Sequence, residues 1–196
     1  MNGQWYDRFM DLPDRIRHLL ARTAARTLHI DGFRPAAVLV PFIQRGENVS
    51  LLFTLRSHKL PLHAGQISFP GGQPEHGEQH ARETALRESQ EELGIDPAAV
   101  AILGRLDDVA TPSRFLITPV VGWLHEPAPF QPDAREVDEF FEVALAELGD
   151  PDCFHDAGVA EHDGRSYQLP EYHVAGRVIW GATARMVQNL LFRLEH

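Results

Sequence analysis

The sequence predicts an α/β domain in which helices pack on both faces of a β-sheet. Apolar residues recur at helical spacing near both ends of the chain, over 4–27 and 182–194. Several strand-like runs lie between these helices, among them 36–44, 48–56, 100–106 and 115–124. A helix with an acidic end, over 79–93, separates the first two runs from the others. Helices before, between and after strands are typical of an α/β/α sandwich, although this order leaves the sheet topology open.

The first half of the chain begins with a helical region and continues into a hairpin. Pro13 interrupts the helical spacing and is expected to start a second helix, because proline is favoured in a first turn. The turn from Arg45 to Asn48 joins the first two strand-like runs and makes them a hairpin candidate. A loop and a short strand are expected next, over 58–65 and 66–69.

The second half mixes short elements with an acidic segment. Residues 149–164 contain acids, glycine and proline, and we expect them to be irregular. Ile179 and Trp180 are expected to pack in the core rather than to bind a ligand. The other predicted elements are strands over 137–143, 167–174 and 177–180, a short helix over 144–148 and the amphipathic closing helix over 182–194.

The charge balance disfavours one class of partner. The chain has 196 residues, with 18 Lys and Arg against 28 Asp and Glu, a formal net charge of −10. A basic footprint for nucleic acid is therefore absent, so duplex or RNA substrates are not expected. A small anionic substrate stays compatible with this charge, because a bound metal ion reverses the local field.

Cysteine content and hydropathy predict a cytoplasmic protein that does not enter a membrane. Cys153 is the one cysteine, so neither an internal disulfide nor a multi-cysteine zinc site can form, in agreement with a reducing compartment. The longest apolar run, 36–43, is too short to cross a bilayer. Residues 1–11 contain acids and do not match a secretory signal.

Three carboxylates on the helix predicted over 79–93 are the most informative feature. Glu88, Glu91 and Glu92 fall within roughly a 100° sector around the helix axis. Like charges at this spacing repel, and Gly94, the expected helix end, places them where the helix dipole disfavours anions. A divalent cation would reverse the sign of these effects, so the cluster indicates a metal site.

The ligand chemistry indicates Mg²⁺ or Mn²⁺, because a site of carboxylate oxygens without His or Cys is not typical of zinc. We expect Glu88 and Glu92, which lie four residues apart, to be the primary ligands. Glu91 is expected to be a third ligand, directly or through water. Arg87 is expected to orient Glu91 or a neighbouring loop, with surface charge balance as the alternative.

The segment 72–95 resembles the Nudix box, a motif of diphosphate hydrolases. The matching residues are Gly72, Glu78, Arg87, Glu88, Glu91, Glu92, Gly94 and Ile95. Eight residues separate Glu78 from Arg87, one more than the usual pattern has, which leaves the role of Glu78 open. The resemblance implies one domain over 1–196 with a helical extension over 1–30. It also implies a mixed sheet between helices and a loop–helix–loop metal site.

Residues around the box are similar to a narrower group, the coenzyme A pyrophosphatases, which commonly carry the same lengthening of the box. The matches before it are Leu51-Leu52, Arg56-Ser57, Leu60, His63, Gly65-Gln66 and Phe69-Pro70-Gly71-Gly72. Those after it are 118–122, 136–137, 141–143 and 179–184, although Ala144 stands where a proline is common. Together these matches span roughly residues 36 to 190.

This narrower resemblance implies hydrolysis of coenzyme A to 4′-phosphopantetheine and adenosine 3′,5′-bisphosphate, with Mg²⁺ or Mn²⁺ as cofactor. Arg56, His63 and Gln66 are candidate substrate contacts, and an arginine fork would suit the 3′-phosphate. Glu91 and Glu136 are both candidates for the general base. In the competing interpretation, His63 bonds only its own loop and Arg56 faces solvent. The N-terminal helix could serve a homodimer interface or cap the sheet.

Three other functions are compatible with the resemblance. The first is a hydrolase of another nucleoside diphosphate derivative, such as a dinucleotide, a nucleotide sugar or ADP-ribose. The second is isomerisation of a prenyl diphosphate, which would need a cysteine near the site, whereas Cys153 lies in the irregular segment. The third is a ligand-sensing module without activity. Such modules often lose box carboxylates, and here Glu88, Glu91 and Glu92 all remain.

Overall fold

A mixed eight-stranded sheet forms the centre of the computed structural model, which describes residues 11–60 and 62–195. Its strands are β1 (Arg34–Arg45), β2 (Asn48–Arg56), β3 (Ile67–Ser68), β4 (Gly71–Gly72), β5 (Ala101–Arg105), β6 (Val109–Ala110), β7 (Phe115–His125) and β8 (Val137–Ala144). The order is β3-β2-β1-β7-β5, with β8 paired to β2, β4 to β1 and β6 to β7. Strands β1 and β7 run parallel along their length, and every other pairing in this sheet is antiparallel. The mixed sheet expected from the resemblance is therefore confirmed.

Helices cover both faces of this sheet. They are α1 (Leu12–Arg22), α2 (Ala81–Leu93), α3 (Leu145–Leu148) and α4 (Gly181–Glu195). Pro13 lies in the first turn of α1, as expected, and the side chain of Asp11 caps that turn by accepting from the Asp14 amide. The part of the helical prediction that falls on 4–10 lies outside the described residues. No helix in the described ranges is long and apolar enough to cross a membrane.

Alternating side chains of β1 divide the core into two layers. Val40 and Phe42 pack with Leu20 of α1 and Leu190 of α4 on one face. Leu39 and Ile43 pack with Ala85 and Leu93 of α2 on the other face. Successive side chains of a strand point to opposite faces of the sheet, so one strand contributes to both layers. Among the helices in the described part of the chain, α2, which carries the acidic cluster, therefore lies by itself against one face, and α1 and α4 lie against the opposite face.

A second, three-stranded antiparallel sheet lies in the C-terminal part and corrects one prediction. Its strands are β9 (Phe154–His162), β10 (Arg165–Val174) and β11 (Arg177–Trp180), in the order β11-β10-β9. The expectation that 149–164 is irregular was wrong, because 154–162 pairs with β10 as an edge strand. Most of its side chains are exposed, so they lack the apolar alternation by which a half-buried strand is recognised.

Candidate active site

The acidic end of α2 is fixed by caps at both ends of the helix. The Glu83 carboxylate accepts from the backbone amides of Gln79 and His80, which closes the first turn. At the other end Gly94 adopts the left-handed conformation with φ 68°, and its amide donates to the last-turn carbonyls. The helix end predicted at Gly94 is confirmed, and Glu88, Glu91 and Glu92 lie in the final turns.

Arg87 connects this helix to the loop that precedes it. Its guanidinium donates to Glu78 Oε1 at 2.8 Å, to Glu91 Oε2 at 2.9 Å and to the Gln73 carbonyl oxygen at 2.9 Å. It also lies 2.9 Å from Glu88 Oε1. The hydrogen bonds from Arg87 and then Thr84 lower the pKa of Glu78 to about 2. Glu78 thus anchors the arginine, despite the extra residue between them.

Glu92 is a carboxylate in surroundings that disfavour its charge. Its side chain is 2 % exposed, and burial raises the pKa of Glu92 to about 8, with the charges of Glu88 and Glu136 adding to the effect. Arg56 opposes this shift, with its Nη1 3.7 Å from Glu92 Oε1. Glu92 Oε2 and Arg56 Nε are both buried without a hydrogen-bond partner among the described residues. One carboxylate oxygen is therefore free to accept a ligand.

Glu88 packs directly on the glycine pair of β4. A side chain at Gly72 would place its Cβ 2.4 Å from Glu88 Oε1, and one at Gly71 would come 2.3 Å from the Ala37 carbonyl oxygen. Only glycines let α2 and β1 approach β4 this closely. Burial raises the pKa of Glu88, the hydrogen bond from Arg87 opposes the shift, and the charges of Glu91 and Glu136 add to it.

The two candidates for a general base lie in different surroundings. Glu136 is half-buried in the turn before β8, and its carbonyl oxygen accepts from the Ser57 amide at 2.8 Å, beside Arg56. Its charge raises the pKa of both Glu88 and Glu92. Glu91 is 52 % exposed at its side chain and paired with Arg87. The fold therefore brings Glu88, Glu92 and Glu136 together and leaves Glu91 at the rim.

This donor set fits a hard divalent cation. Across 11–60 and 62–195, no three His, Cys, Asp or Glu side chains are already arranged to hold a metal ion, since Arg87 engages both Glu88 and Glu91. The donors are nevertheless of the right kind, because the half-buried Glu88 and the buried Glu92 repel each other and Glu92 Oε2 has no partner. A cation bound between them would satisfy that oxygen and offset the repulsion.

A cleft of about 620 Å³ adjoins the acidic helix end. Arg56, Gly71 and Gly72 line this cleft. Arg56 lies 3.7 Å from Glu92, and Gly72 packs against the carboxylate of Glu88. His63 and Gln66 line the cleft as well, with His63 Nδ1 2.9 Å from Gln66 Oε1 and the His63 ring edge-on to Phe115. The structure therefore brings all three predicted substrate residues to one cavity, although His63 also makes the loop contact of the competing interpretation.

Several cleft residues were not identified from the sequence, and one was assigned wrongly. Trp180 does not pack in the core: its side chain is 50 % exposed and lines the cleft, whereas its neighbour Ile179 is fully buried. Strand alternation places these two side chains on opposite faces, and this was the signal available in the sequence. Arg185 of α4 was also missed. Other lining residues are Leu60, Leu62, Phe115, Ile117, Tyr167, Leu169 and Met186.

Comparison with known proteins identifies the family. A model of the NUDIX domain matches residues 32–166. The chain is 36% identical over 157 residues to proteins named "Uncharacterized Nudix hydrolase NudL" from Yersinia pestis (strain Pestoides F) and Yersinia pseudotuberculosis serotype O:1b, covering 80% of this chain and 78% of each relative. A crystal structure of a C. elegans Ap4A hydrolase binary complex matches with a TM-score of 0.49 and 21% identity, over 57% of this chain and 80% of that one.

Two of these findings carry the assignment, the domain match and the identity to the Yersinia relatives. The matched range contains the glycine pair, the whole of α2 and the turn that holds Glu136. Nudix hydrolases generally use divalent metal ions such as Mg²⁺ or Mn²⁺, in agreement with the carboxylate donors found here. The chain belongs to the Nudix hydrolase family, enzymes that cleave pyrophosphate bonds in nucleoside diphosphate derivatives.

Proposed function

We propose that the protein hydrolyses the diphosphate of coenzyme A to 4′-phosphopantetheine and adenosine 3′,5′-bisphosphate, with Mg²⁺ or Mn²⁺. The observation that carries this proposal is the character of the cleft beside the acidic helix end. In a chain of net charge −10, its lining includes two arginines, Arg56 and Arg185, and otherwise consists largely of apolar side chains. Such a cavity suits a ligand with phosphates at separate positions and a long, weakly polar arm.

Glu88 and Glu92 are the residues that would hold the metal ion, with Glu91 as a further ligand directly or through water. When bound, the cation supplies neutralisation of the phosphate charge and a lowered pKa for the attacking water. Arg87 contacts Glu88 and Glu91 on the helix and also Gln73 and Glu78 in the preceding loop. Through these contacts Arg87 fixes the helix relative to the loop. Its position supports an orienting role in catalysis.

Of the two candidates for the general base, Glu136 is better placed. It is half-buried near Glu88 and Glu92 and its backbone is fixed to Ser57, whereas Glu91 is bound to Arg87 at the rim. We assign to Glu136 the removal of a proton from the attacking water. Hydrogen-bond reach to that water is the requirement for this role.

Substrate contacts are assigned to the three residues that line the cleft near the acids. Arg56 lies against Glu92 and would meet the diphosphate oxygens, since a guanidinium donates to two phosphate oxygens at once. His63 and Gln66 hold each other at 2.9 Å and would contact the substrate from the loop before β3. The apolar lining, with the exposed ring of Trp180, offers a surface for the adenine or the pantetheine arm.

Product analysis by mass spectrometry tests the proposal. The protein is incubated with Mg²⁺ or Mn²⁺ and a mixture of coenzyme A, dephospho-coenzyme A, ADP-ribose and NADH. We expect preferential conversion of coenzyme A to 4′-phosphopantetheine and adenosine 3′,5′-bisphosphate. Cleavage of the other compounds with coenzyme A spared would overturn the substrate assignment. Absence of any cleavage would favour a ligand-sensing module instead.

Variants of the two carboxylates test the metal assignment in the same assay. Glu88→Gln and Glu92→Gln keep the side-chain shape and remove the charge, so turnover should fall by about 10³-fold or more. Glu47→Gln makes the same substitution at an exposed turn residue and should leave turnover unchanged. Activity of Glu88→Gln and Glu92→Gln within a few-fold of wild type would remove the assignment.

A further inference from the structure

Arg185 is the second arginine of the cleft, and its surroundings differ from those of Arg56. It lies half-buried in the second turn of α4, and its Nη1 donates to the Ala110 carbonyl oxygen at 2.9 Å. Among the residues that the structure describes, it forms no ion pair with an aspartate or glutamate. Its remaining guanidinium N–H groups are therefore available to a ligand in the cleft.

Within the described ranges of the chain, no carboxylate offsets the charge of Arg185. Burial lowers the pKa of Arg185, the positive charge of Arg26 lowers it further, and Tyr167 opposes the shift. The described lining of the cleft contains no Asp or Glu, although acids outnumber bases in the whole chain. Placing a cation in low-dielectric surroundings near another cation is unfavourable. An anionic group bound at this position would remove that cost.

We propose that Arg185 is a specificity-determining residue that binds the ribose 3′-phosphate of coenzyme A, an inference that rests on the proposed function. A planar guanidinium suits a terminal phosphate, because two of its N–H groups can donate to two phosphate oxygens at once. Arg56 is the other cationic candidate, but it stands 3.7 Å from Glu92, at the acidic end where the diphosphate is cleaved. Tyr167 also lines the cleft and carries a hydroxyl group that can donate to a phosphate.

The test compares two substrates that differ only in this phosphate. Wild type and Arg185→Gln, each with Mg²⁺, are assayed for kcat/KM on coenzyme A and on dephospho-coenzyme A. The substitution should lower kcat/KM for coenzyme A by about 10- to 100-fold, mainly through KM, and leave dephospho-coenzyme A within about threefold. A purely structural role for Arg185 would lower both values equally.

Two further variants separate charge from geometry. Arg185→Lys keeps the charge but not the fork, so its preference for coenzyme A should fall between those of wild type and Arg185→Gln. Arg15→Gln removes one positive charge from the exposed surface of α1 and should keep the wild-type preference. Loss of preference in Arg15→Gln would show that net charge, and not Arg185, sets the discrimination.

The outcomes distinguish this inference from the proposal on which it rests. If wild type hydrolyses both compounds equally well, or Arg185→Gln keeps the wild-type preference, the Arg185 assignment is wrong and coenzyme A hydrolysis stands. If wild type cleaves neither compound, the proposed function fails and the assignment fails with it. The wild-type ratio needs no variant, so the assignment can be overturned even if Arg185→Gln folds poorly.

Discussion

Two carboxylates of the acidic site, Glu78 and Glu92, have opposite preferences for the proton. Glu78 accepts hydrogen bonds from Arg87 and Thr84, which lower its pKa to about 2. Glu92 is buried beside other acids, and burial raises its pKa to about 8. Glu78 therefore serves as a fixed anion that holds Arg87. Among the described residues, Glu92 Oε2 has no hydrogen-bond partner, which supports the proposed role of Glu92 as a metal ligand.

The raised pKa of Glu92 predicts how stability depends on pH without metal. Because its folded pKa of about 8 exceeds the ordinary value of 4.5, protonation of Glu92 favours the folded state. This contribution is complete below pH ~4.5 and is lost as pH rises through about 8. Metal-free Glu92→Gln should therefore gain on the order of a few kcal/mol over wild type between pH 5 and pH ~9. Chemical denaturation at several pH values in EDTA measures this difference.

The neighbouring residue, Glu91, provides a matched control for Glu92→Gln. Glu91→Gln removes the same charge from a half-exposed side chain that is paired with Arg87. The unfolding free energy of this variant, compared with that of wild type, should not rise with pH. A constant difference in unfolding free energy between Glu92→Gln and wild type across this range would show that Glu92 is not desolvated in the folded protein.

For single residues, the sequence predicted which acids cluster but not how buried each of them is. Helical spacing and like-charge clustering identified Glu88, Glu91 and Glu92, because both follow from positions along one helix. The burial of Glu92 and exposure of Glu91 depend on which side of α2 faces β4 and Arg56. That contact joins segments distant in the chain, and no local pattern encodes it.

Among the elements, the two-residue strand β4 has the greatest influence on the site. It pairs with β1 and lies beneath the carboxylate of Glu88. The two glycines meet different neighbours, since a Cβ at Gly71 would strike the backbone of β1 whereas one at Gly72 would strike a movable side-chain end. The same substitution at adjacent positions should therefore have separable effects on stability and activity.

Alanine substitutions measure these effects. Gly71→Ala should destabilise the fold by about 1–3 kcal/mol, because the added Cβ lies 2.3 Å from the Ala37 carbonyl oxygen and 2.6 Å from Val38 Cα. Gly72→Ala should instead displace Glu88 and lower kcat by on the order of 10²-fold with a small change in Tm. Thermal denaturation and steady-state kinetics on coenzyme A provide both readouts.

Gly149→Ala is the control for these two variants. Its backbone is helical and an added Cβ would make only an ordinary 3.5 Å contact, so both readouts should match wild type. Full activity of Gly72→Ala would mean that the position of Glu88 does not matter for turnover.

The accuracy of the element predictions follows the strength of the local signal. The hairpin of β1 and β2 and the capped helix α2 were predicted because apolar runs and a glycine stop are local features. Strand β9 was missed because its pairing with β10, rather than a buried face, makes it a strand. The cleft escaped prediction for a similar reason, since residues from β7, β10 and α4 meet only in the folded chain.

In the whole molecule, the site depends on contacts between elements that are distant in sequence. Backbone pairing of β2 with β8 and of Ser57 with Glu136 brings Arg56 and Glu136 together. Strand β4 then places the end of α2 against them. The result is an acidic site beside a largely apolar cleft that contains two arginines, in a protein whose overall charge is negative. This arrangement supports the proposal that a cation and an anionic substrate bind side by side.

We propose that Glu88 and Glu92 form the divalent cation site on which hydrolysis depends. Calorimetric titration of Mn²⁺ into metal-free protein at pH 7, in buffers of different ionisation enthalpy, measures both affinity and proton release. With a pKa of about 8, Glu92 is mostly protonated at this pH, so binding should release about one proton per ion. Glu92→Gln should bind far more weakly and release none. Equal affinity in wild type and Glu92→Gln, without proton release, would show that Glu92 does not bind the cation.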